Sequence, residues 1–249
     1  MKLLSTLLLT VANAAVISHK SSVGRPAMIY DALANYTTTP LEHNIQDRAA
    51  NYDTNWAGSV QEGSNWSFIT GTSRIPYVAD QNGASATLVG IDGLRCTNAV
   101  LQTGYTIWGA GAVELWYEWW PNPSYHYSSV SAKAGDYIRM SVWAYNSTSG
   151  RVMIENLTTG QSDYRTFQGM NNNQLCRSDA AWIVGTPTYN GQQMQLANFG
   201  TIDITNTQAQ GDHGTMGAAG GNIVNIYQNG YQRTSCGAKN DGMECRYVQ

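Results

Sequence analysis

Charge is scarce in this chain. Asp, Glu, Lys and Arg make up 12% of its 249 residues, roughly half the usual quarter. No run of Lys or Arg occurs, and the formal net charge is −3, so the electrostatic footprint of a nucleic-acid binder is missing. No window reaches the ~18 consecutive apolar residues of a membrane span. Lys, Glu and Leu are too few for a helical bundle, and no segment holds a 3.6-residue apolar stripe for three turns. The cysteines, four in all, show no Cys-x-x-Cys spacing, and the four histidines no His-x-x-x-His, which argues against a zinc site. There is no Gly-x-Ser-x-Gly elbow and no Gly-rich loop followed by Lys-Ser/Thr, so serine-hydrolase and phosphate-cradling chemistries are set aside.

What the chain does hold is 25 Gly, 15 Tyr and 8 Trp among many Asn, Gln, Ser and Thr. That mixture suits twisted sheets with many turns. Met1-Lys2, the apolar stretch Leu3 to Val11 and Ala12-Asn13-Ala14 read as a signal peptide cleaved after Ala14. Residues 15–50 are polar and weakly patterned, read either as a pro-segment or as a disordered tail. Without residues 1–50 the balance is 10 positive against 14 negative, or −4. So few carboxylates suit work in an acidic medium. Extracellular life also fits the even cysteine count: Cys236 and Cys245 are near enough for a hairpin staple, which leaves Cys96 with Cys176. Four glycosylation sequons occur, at Asn35, Asn65, Asn146 and Asn156.

From residue 51 onward, short runs rich in Val, Ile, Tyr, Trp and Thr recur about every ten residues. They are Ser85–Asp92, Ala99–Ile107, Ala112–Trp120, Asp136–Tyr145, Arg151–Leu157, Ala180–Thr186, Met194–Phe199, Thr201–Thr205, Asn222–Tyr227 and Glu244–Val248. Turn signals separate them: Asp-Gly at 92–93, Gly-Ala-Gly at 109–111, Asn-Gly at 190–191 and 229–230. Gln208–Gly221 reads as an irregular Gly-rich loop. With no internal repeat and no linker, one β-sandwich domain over 51–249 is the economical all-β architecture.

The most informative segment is Glu114-Leu-Trp-Tyr-Glu-Trp-Trp-Pro121. Alternation puts Glu114, Trp116, Glu118 and Trp120 on one face of a strand. Two carboxylates interleaved with indoles are unusual for a core, because a buried charge needs a partner. They read either as a substrate cleft holding an acid of perturbed pKa or as a solvated stacking face of the kind that binds sugars. Their ~13 Å spacing exceeds the ~5–9.5 Å of paired glycosidase carboxylates.

Asn55-Trp56-Ala57-Gly58, Val89-Gly-Ile-Asp-Gly93, Leu101-Gln-Thr-Gly104 and Trp116-Tyr-Glu-Trp119 together resemble the fungal glutamic peptidases, the eqolisins. The likeness continues through Ala134-Gly-Asp136, Glu155-Asn-Leu-Thr-Thr-Gly-Gln161, Leu175-Cys-Arg177, Ala197–Thr205 and the Cys236/Cys245 tail. It implies a sandwich of two curved antiparallel sheets of concanavalin-like, jelly-roll type, secretion as a zymogen, the same disulfide placing, and endopeptidase action on peptides or unfolded protein at acid pH. It implies no cofactor and no metal, and we expect a monomer with no membrane partner.

In such a peptidase a glutamate activates water as general base, and a glutamine amide donates to the oxyanion. The glutamine falls on Gln102. The glutamates should stand in the block Ala180-Ala181-Trp182-Ile183-Val184-Gly185, but Ala181 occupies the first position and Gly185 that of the base. No Asp or Glu lies between Asp179 and Asp203, and Asp179 is ~20 Å along the strand from Gly185. His126 and His213 stand isolated in the sequence. Glu118 is the acid already in the expected cleft and the candidate substitute, with Trp56, Asp92, Glu114, Trp116 and Trp120 as the walls. Glu114 stands where the family has Asp, and Leu88 where it has Trp. The expectation is a secreted, peptide-binding member with impaired proteolysis. The alternatives are an active acid peptidase working through Glu118, or a carbohydrate-binding module.

Overall fold

A computed structural model describes residues 51–248 apart from 79, 81–82 and 190–191. The signal peptide, the segment 15–50, the Asn35 sequon and the Asn-Gly at 190–191 lie outside the described residues. In chain order the strands are β1 (Asn51–Asp53), β2 (Trp56–Glu62), β3 (Phe68–Arg74), β4 (Gly83–Ile91), β5 (Val100–Trp108), β6 (Val113–Trp120) and β7 (Tyr125–His126). There follow β8 (Tyr137–Asn146), β9 (Ser149–Asn156), β10 (Gln161–Phe167), β11 (Asp179–Gly185), β12 (Thr188–Tyr189), β13 (Gln192–Gln193) and β14 (Gln195–Leu196). The last are β15 (Thr201–Gly211), β16 (Gly214–Met216), β17 (Asn222–Gln228), β18 (Tyr231–Gln232), β19 (Thr234–Lys239) and β20 (Gly242–Tyr247).

They form two large, mostly antiparallel sheets. One runs β1-β17-β2-β11-β4-β5-β6-β7, with β14 against β4 and β18 against β17. The other runs β10-β9-β8-β3-β15-β20-β19, with β16 against β15. Between them lies the main core, built on Trp66, Trp119, Trp182, Tyr105 and Phe199 with Val, Ile and Met from both inner faces. The central strands β4 and β11 are buried along their whole length, because both faces of the larger sheet are apolar. Its outer face carries a second cluster of Trp56, Val60, Ala86, Leu88, Val100, Trp116, Ala181, Ile183 and Val224.

The glycines do local work. Asn229 and Gly230, with φ of 54° and 82°, make the two-residue hairpin between β17 and β18. Gly104 has Leu88 Cα at 2.9 Å from where a Cβ would stand, so only hydrogen lets β4 and β5 close. The disulfides pair as expected: Cys96 with Cys176, and Cys236 with Cys245.

Several sequence expectations are corrected. The stretch 208–221 is not an irregular loop: β15 runs on to Gly211 and hairpins into β16, its polar residues facing solvent on the smaller sheet. Met194–Phe199 contributes only the two-residue β14. Ten strands fall outside the expected runs: the short β1, β7, β12, β13, β16 and β18, and the longer β2, β3, β10 and β19; β10 (QSDYRTF) is an exposed edge strand that needs no apolar run.

Candidate active site

The outer face of the larger sheet is read best in rows across its strands. Pairing places Val60, Ala181, Gly90, Gln102 and Glu118 in one row. A second row, four residues along, holds Trp56, Gly185, Ala86, Thr106 and Glu114. Between them run Gly58, Ile183, Leu88, Gly104, Trp116 and His126. The expected alternation on β6 therefore holds, and β5 presents Gln102 directly beside Glu118.

Those two side chains form a fully buried polar pair beside the apolar cluster of this face. Gln102 Nε2 donates to Glu118 Oε2 at 2.6 Å, and both residues are fully buried. Gln102 Oε1 and Glu118 Oε1 have no hydrogen-bond partner. Among the described residues no cation compensates Glu118. Burial pushes its pKa from 4.5 up to about 8, against a smaller lowering by the Gln102 amide. The carboxyl is accordingly neutral throughout acid pH. A neutral carboxyl can donate as well as accept, so the Gln102 amide can turn over, accept from Glu118 O–H and free its own N–H. The 2.6 Å separation is nearer the usual length of an O–H···O bond than of an N–H···O bond.

Gly185 lies two strands, ~10 Å, across from Gln102 and ~13 Å along. That is too far for a carboxyl at 185 to share one water with the Gln102 amide, and the position is closed as well. A Cβ there would stand 2.9 Å from the Asn55 carbonyl oxygen and 3.4 Å from Trp56 Cβ. The Asn55 oxygen accepts from Thr186 N–H at 2.8 Å. The turn that carries it is fixed by Asp53, whose Oδ1 takes the backbone N–H of Asn55 at 2.7 Å and of Trp56 at 3.1 Å.

The remaining wall candidates divide. Trp56 and Trp116 are both fully buried in the outer cluster, and Trp116 Nε1 donates to Thr106 Oγ1 at 3.0 Å. Trp120 packs against the same cluster from its edge. Glu114 accepts from Trp108 Nε1 at 2.8 Å and lies 2.8 Å from His126 Nδ1. His126 is thus not isolated; the β6–β7 pairing brings it beside an acid twelve residues back, which spacing alone does not reveal. Asp92 is a turn residue with φ 69°, and its carboxylate takes the backbone N–H groups of Arg177 at 2.8 Å and Ser178 at 2.7 Å. Asp179 answers it by accepting from Leu94 and Arg95 N–H at 3.1 and 3.0 Å. With Cys96–Cys176 this reciprocal clasp ties two loops, so Asp92 is no part of the site's wall.

Of the sequons, Asn65 and Asn146 are exposed. Asn156 is fully buried, its amide donating to Ser131 O and Asp136 Oδ2 at 2.9 Å each. That nitrogen has no opening for a glycan, a correction of the sequence expectation. Among the described residues no group of His, Cys, Asp and Glu is arranged to hold a metal ion.

The Peptidase A4 family matches residues 54–247. The chain is 33% identical over 221 residues to aspergillopepsin-2 of Aspergillus niger, covering 79% of this chain and 78% of that one. It is 31% identical over 212 residues to scytalidopepsin B of Scytalidium lignicola, covering 82% of each. In structure it is similar to scytalido-glutamic peptidase solved with a transition-state analogue inhibitor. There the TM-score is 0.75 at 31% identity, over 78% of this chain and 98% of the other. It is also similar to aspergilloglutamic peptidase from Aspergillus niger, with a TM-score of 0.62 at 33% identity over 67% and 99%. With the family model spanning nearly all of the described residues, relatives above 30% identical and the same two-sheet sandwich, the chain belongs to the Peptidase A4 family, the eqolisins.

Proposed function

We propose that this chain is a secreted, acid-medium peptide-binding eqolisin whose hydrolytic step is crippled. One observation carries the reading: the row that holds Gln102 and Glu118 continues through Gly90, Ala181 and Val60 with no second acid, where the resemblance leads one to expect a glutamate. The peptide partner is inferred from relatives, among them an eqolisin solved with the tripeptide Ala-Ile-His. Gln102 supplies the oxyanion donor, as its N–H becomes available once Glu118 is neutral. Glu118 is a proton donor at acid pH and no base there, since its pKa is raised to about 8 by burial. This disfavours an active peptidase in which Glu118 replaces the missing glutamate.

The test is cleavage of an unfolded protein at pH 2–4 by the acid-matured wild type and by Ala181→Glu, which puts a carboxyl in the Gln102 row. A general base contributes roughly 10²–10⁴ in rate, so wild type should fall at least that far below the variant. Trp56, Trp116 and Trp120 fluorescence should respond to peptide in both. Robust cleavage by wild type, abolished in Glu118→Gln, would refute the reading and place the base on β6.

A further inference from the structure

The outer face of the smaller sheet, on the opposite side of the sandwich, carries a second set of exposed chemistry. One row across it holds Gln210, Phe68, Trp143, Arg151 and Thr166. Phe68 and Trp143 are partly exposed with ring centroids 5.2 Å apart. With Tyr145, which is 52% exposed, and Gln210 they line an open groove of about 480 Å³. One strand over, the Arg151 guanidinium lies over the Tyr164 ring, 4.5 Å from its centroid.

The polar groups here are unspent. Among the described residues Arg151 has no acidic partner, and its Nε is buried without a hydrogen bond. The nearest acid on its own strand, Glu155, is taken by both arms of Arg139 at 2.5 Å each. The Trp143 indole N–H, the Gln210 amide and the Tyr145 hydroxyl make no side-chain hydrogen bond among the described residues. Flat rings suit the C–H faces of pyranoses, and free donors beside them suit sugar hydroxyls. An uncompensated guanidinium, held flat by stacking, selects a carboxylate through its two-pronged fork. From Phe68 on β3 to Tyr164 on β10 the set spans three strand spacings, roughly 14 Å, the reach of an oligosaccharide rather than of one sugar.

We propose that this face binds an acidic polysaccharide, with uronate repeats lying along Phe68, Trp143 and Arg151, independently of the Gln102 cleft. The carboxylate partners Arg151 and the rings carry the sugar planes, so a substrate matrix would be held while peptide is met on the other side.

The experiment is calorimetric titration of the full chain with a de-esterified oligogalacturonide and with its methyl-esterified counterpart, at a pH where the uronates are ionised. Wild type should prefer the acid form by about tenfold or more, the ratio expected from one charge-assisted pair. Arg151→Gln, on the surface, should erase that preference, Trp143→Ala should weaken both ligands, and Gln102→Ala should change neither. Failure of the folded wild type to bind, equal affinity for both ligands, or loss of binding in Gln102→Ala would overturn the proposal. So would a dimer in sedimentation that disperses in Trp143→Ala without any sugar bound, since the face would then belong to a second copy.

Discussion

Raising the pH from 4 to 8 should progressively unfold this protein, and the structure fixes both sign and scale. Burial raises the pKa of Asp53 and of Asp179 from 3.8 to about 6, of Glu118 from 4.5 to about 8, and of Asp92 above its ordinary value. In each case the folded chain holds the proton more tightly than the unfolded chain. The stabilisation is therefore fully present below the unfolded values near pH 4 and is lost as pH climbs through the folded ones, from about 6 to about 8. At ~1.4 kcal/mol per unit, Asp53 and Asp179 each forfeit on the order of 3 kcal/mol and Glu118 on the order of 5. Asp179 is coupled to Asp92, so their contributions do not add simply. The total still rivals the 5–15 kcal/mol by which ordinary domains are stable. The assay is the midpoint of thermal unfolding from pH 3 to pH 8, followed by the loss of tryptophan burial. Expected is a plateau at acid pH and a fall of tens of degrees towards pH 8, at ~2–4 °C per kcal/mol. Glu118→Gln should flatten the upper half of the curve. A midpoint that stays level or rises between pH 4 and pH 8 would refute the argument that these carboxyls are buried neutral.

Two further outcomes follow from local geometry. Mapping of glycopeptides should find Asn156 bare, because its amide is enclosed between Ser131 and Asp136, while Asn65 and Asn146 are open to modification; a glycan on Asn156 in folded material would contradict the packing. Gly185→Ala should destabilise by about 1–3 kcal/mol through overpacking against Asn55 O, measured by denaturant midpoint, and an unchanged or higher midpoint would show that the β2 edge yields freely.

The two-sheet sandwich was legible because turn pairs and β-branched runs are local signals. β4, β5, β6, β8, β9, β11 and β17 all fall within two residues of where Val, Ile, Trp and Tyr clusters put them. β2 was not, since WAGSVQE mixes small and polar residues yet is buried over its first six positions. It is a central strand flanked by β17 and β11, where small side chains are what close packing tolerates. At the site, Gln102 and Glu118 were legible as residues but not as partners. Sixteen positions separate them, and only the β5–β6 register sets them side by side. The same holds for Glu114 with His126, and for the carboxyl of Asp92, which motif alone put in the wall and which the fold spends on the backbone of 177–178.

The proposed loss of the base, rather than its displacement, is supported by where the other acids are committed. Asp53 holds the turn before β2, and Asp92 and Asp179 hold each other's loops, each through backbone N–H groups. Glu114 answers Trp108 and His126, while Glu62, at the far end of the face, meets Asn222 and Arg95. Glu118 is left, and the burial that makes it useful to Gln102 as a neutral neighbour also removes its basicity in acid. A carboxylate drawn from any of these tasks would leave buried N–H groups or an indole N–H unpaired, at ~1–3 kcal/mol each. The turn at Asp53 adds a steric term, because the two N–H groups it holds are those of Asn55 and Trp56, the residues that crowd Gly185. Position 185 is therefore closed by shape, since a side chain there would require the turn at Asp53 to give way, while the row that holds Gln102 lacks a second acid because Gly90, Ala181 and Val60 fill it.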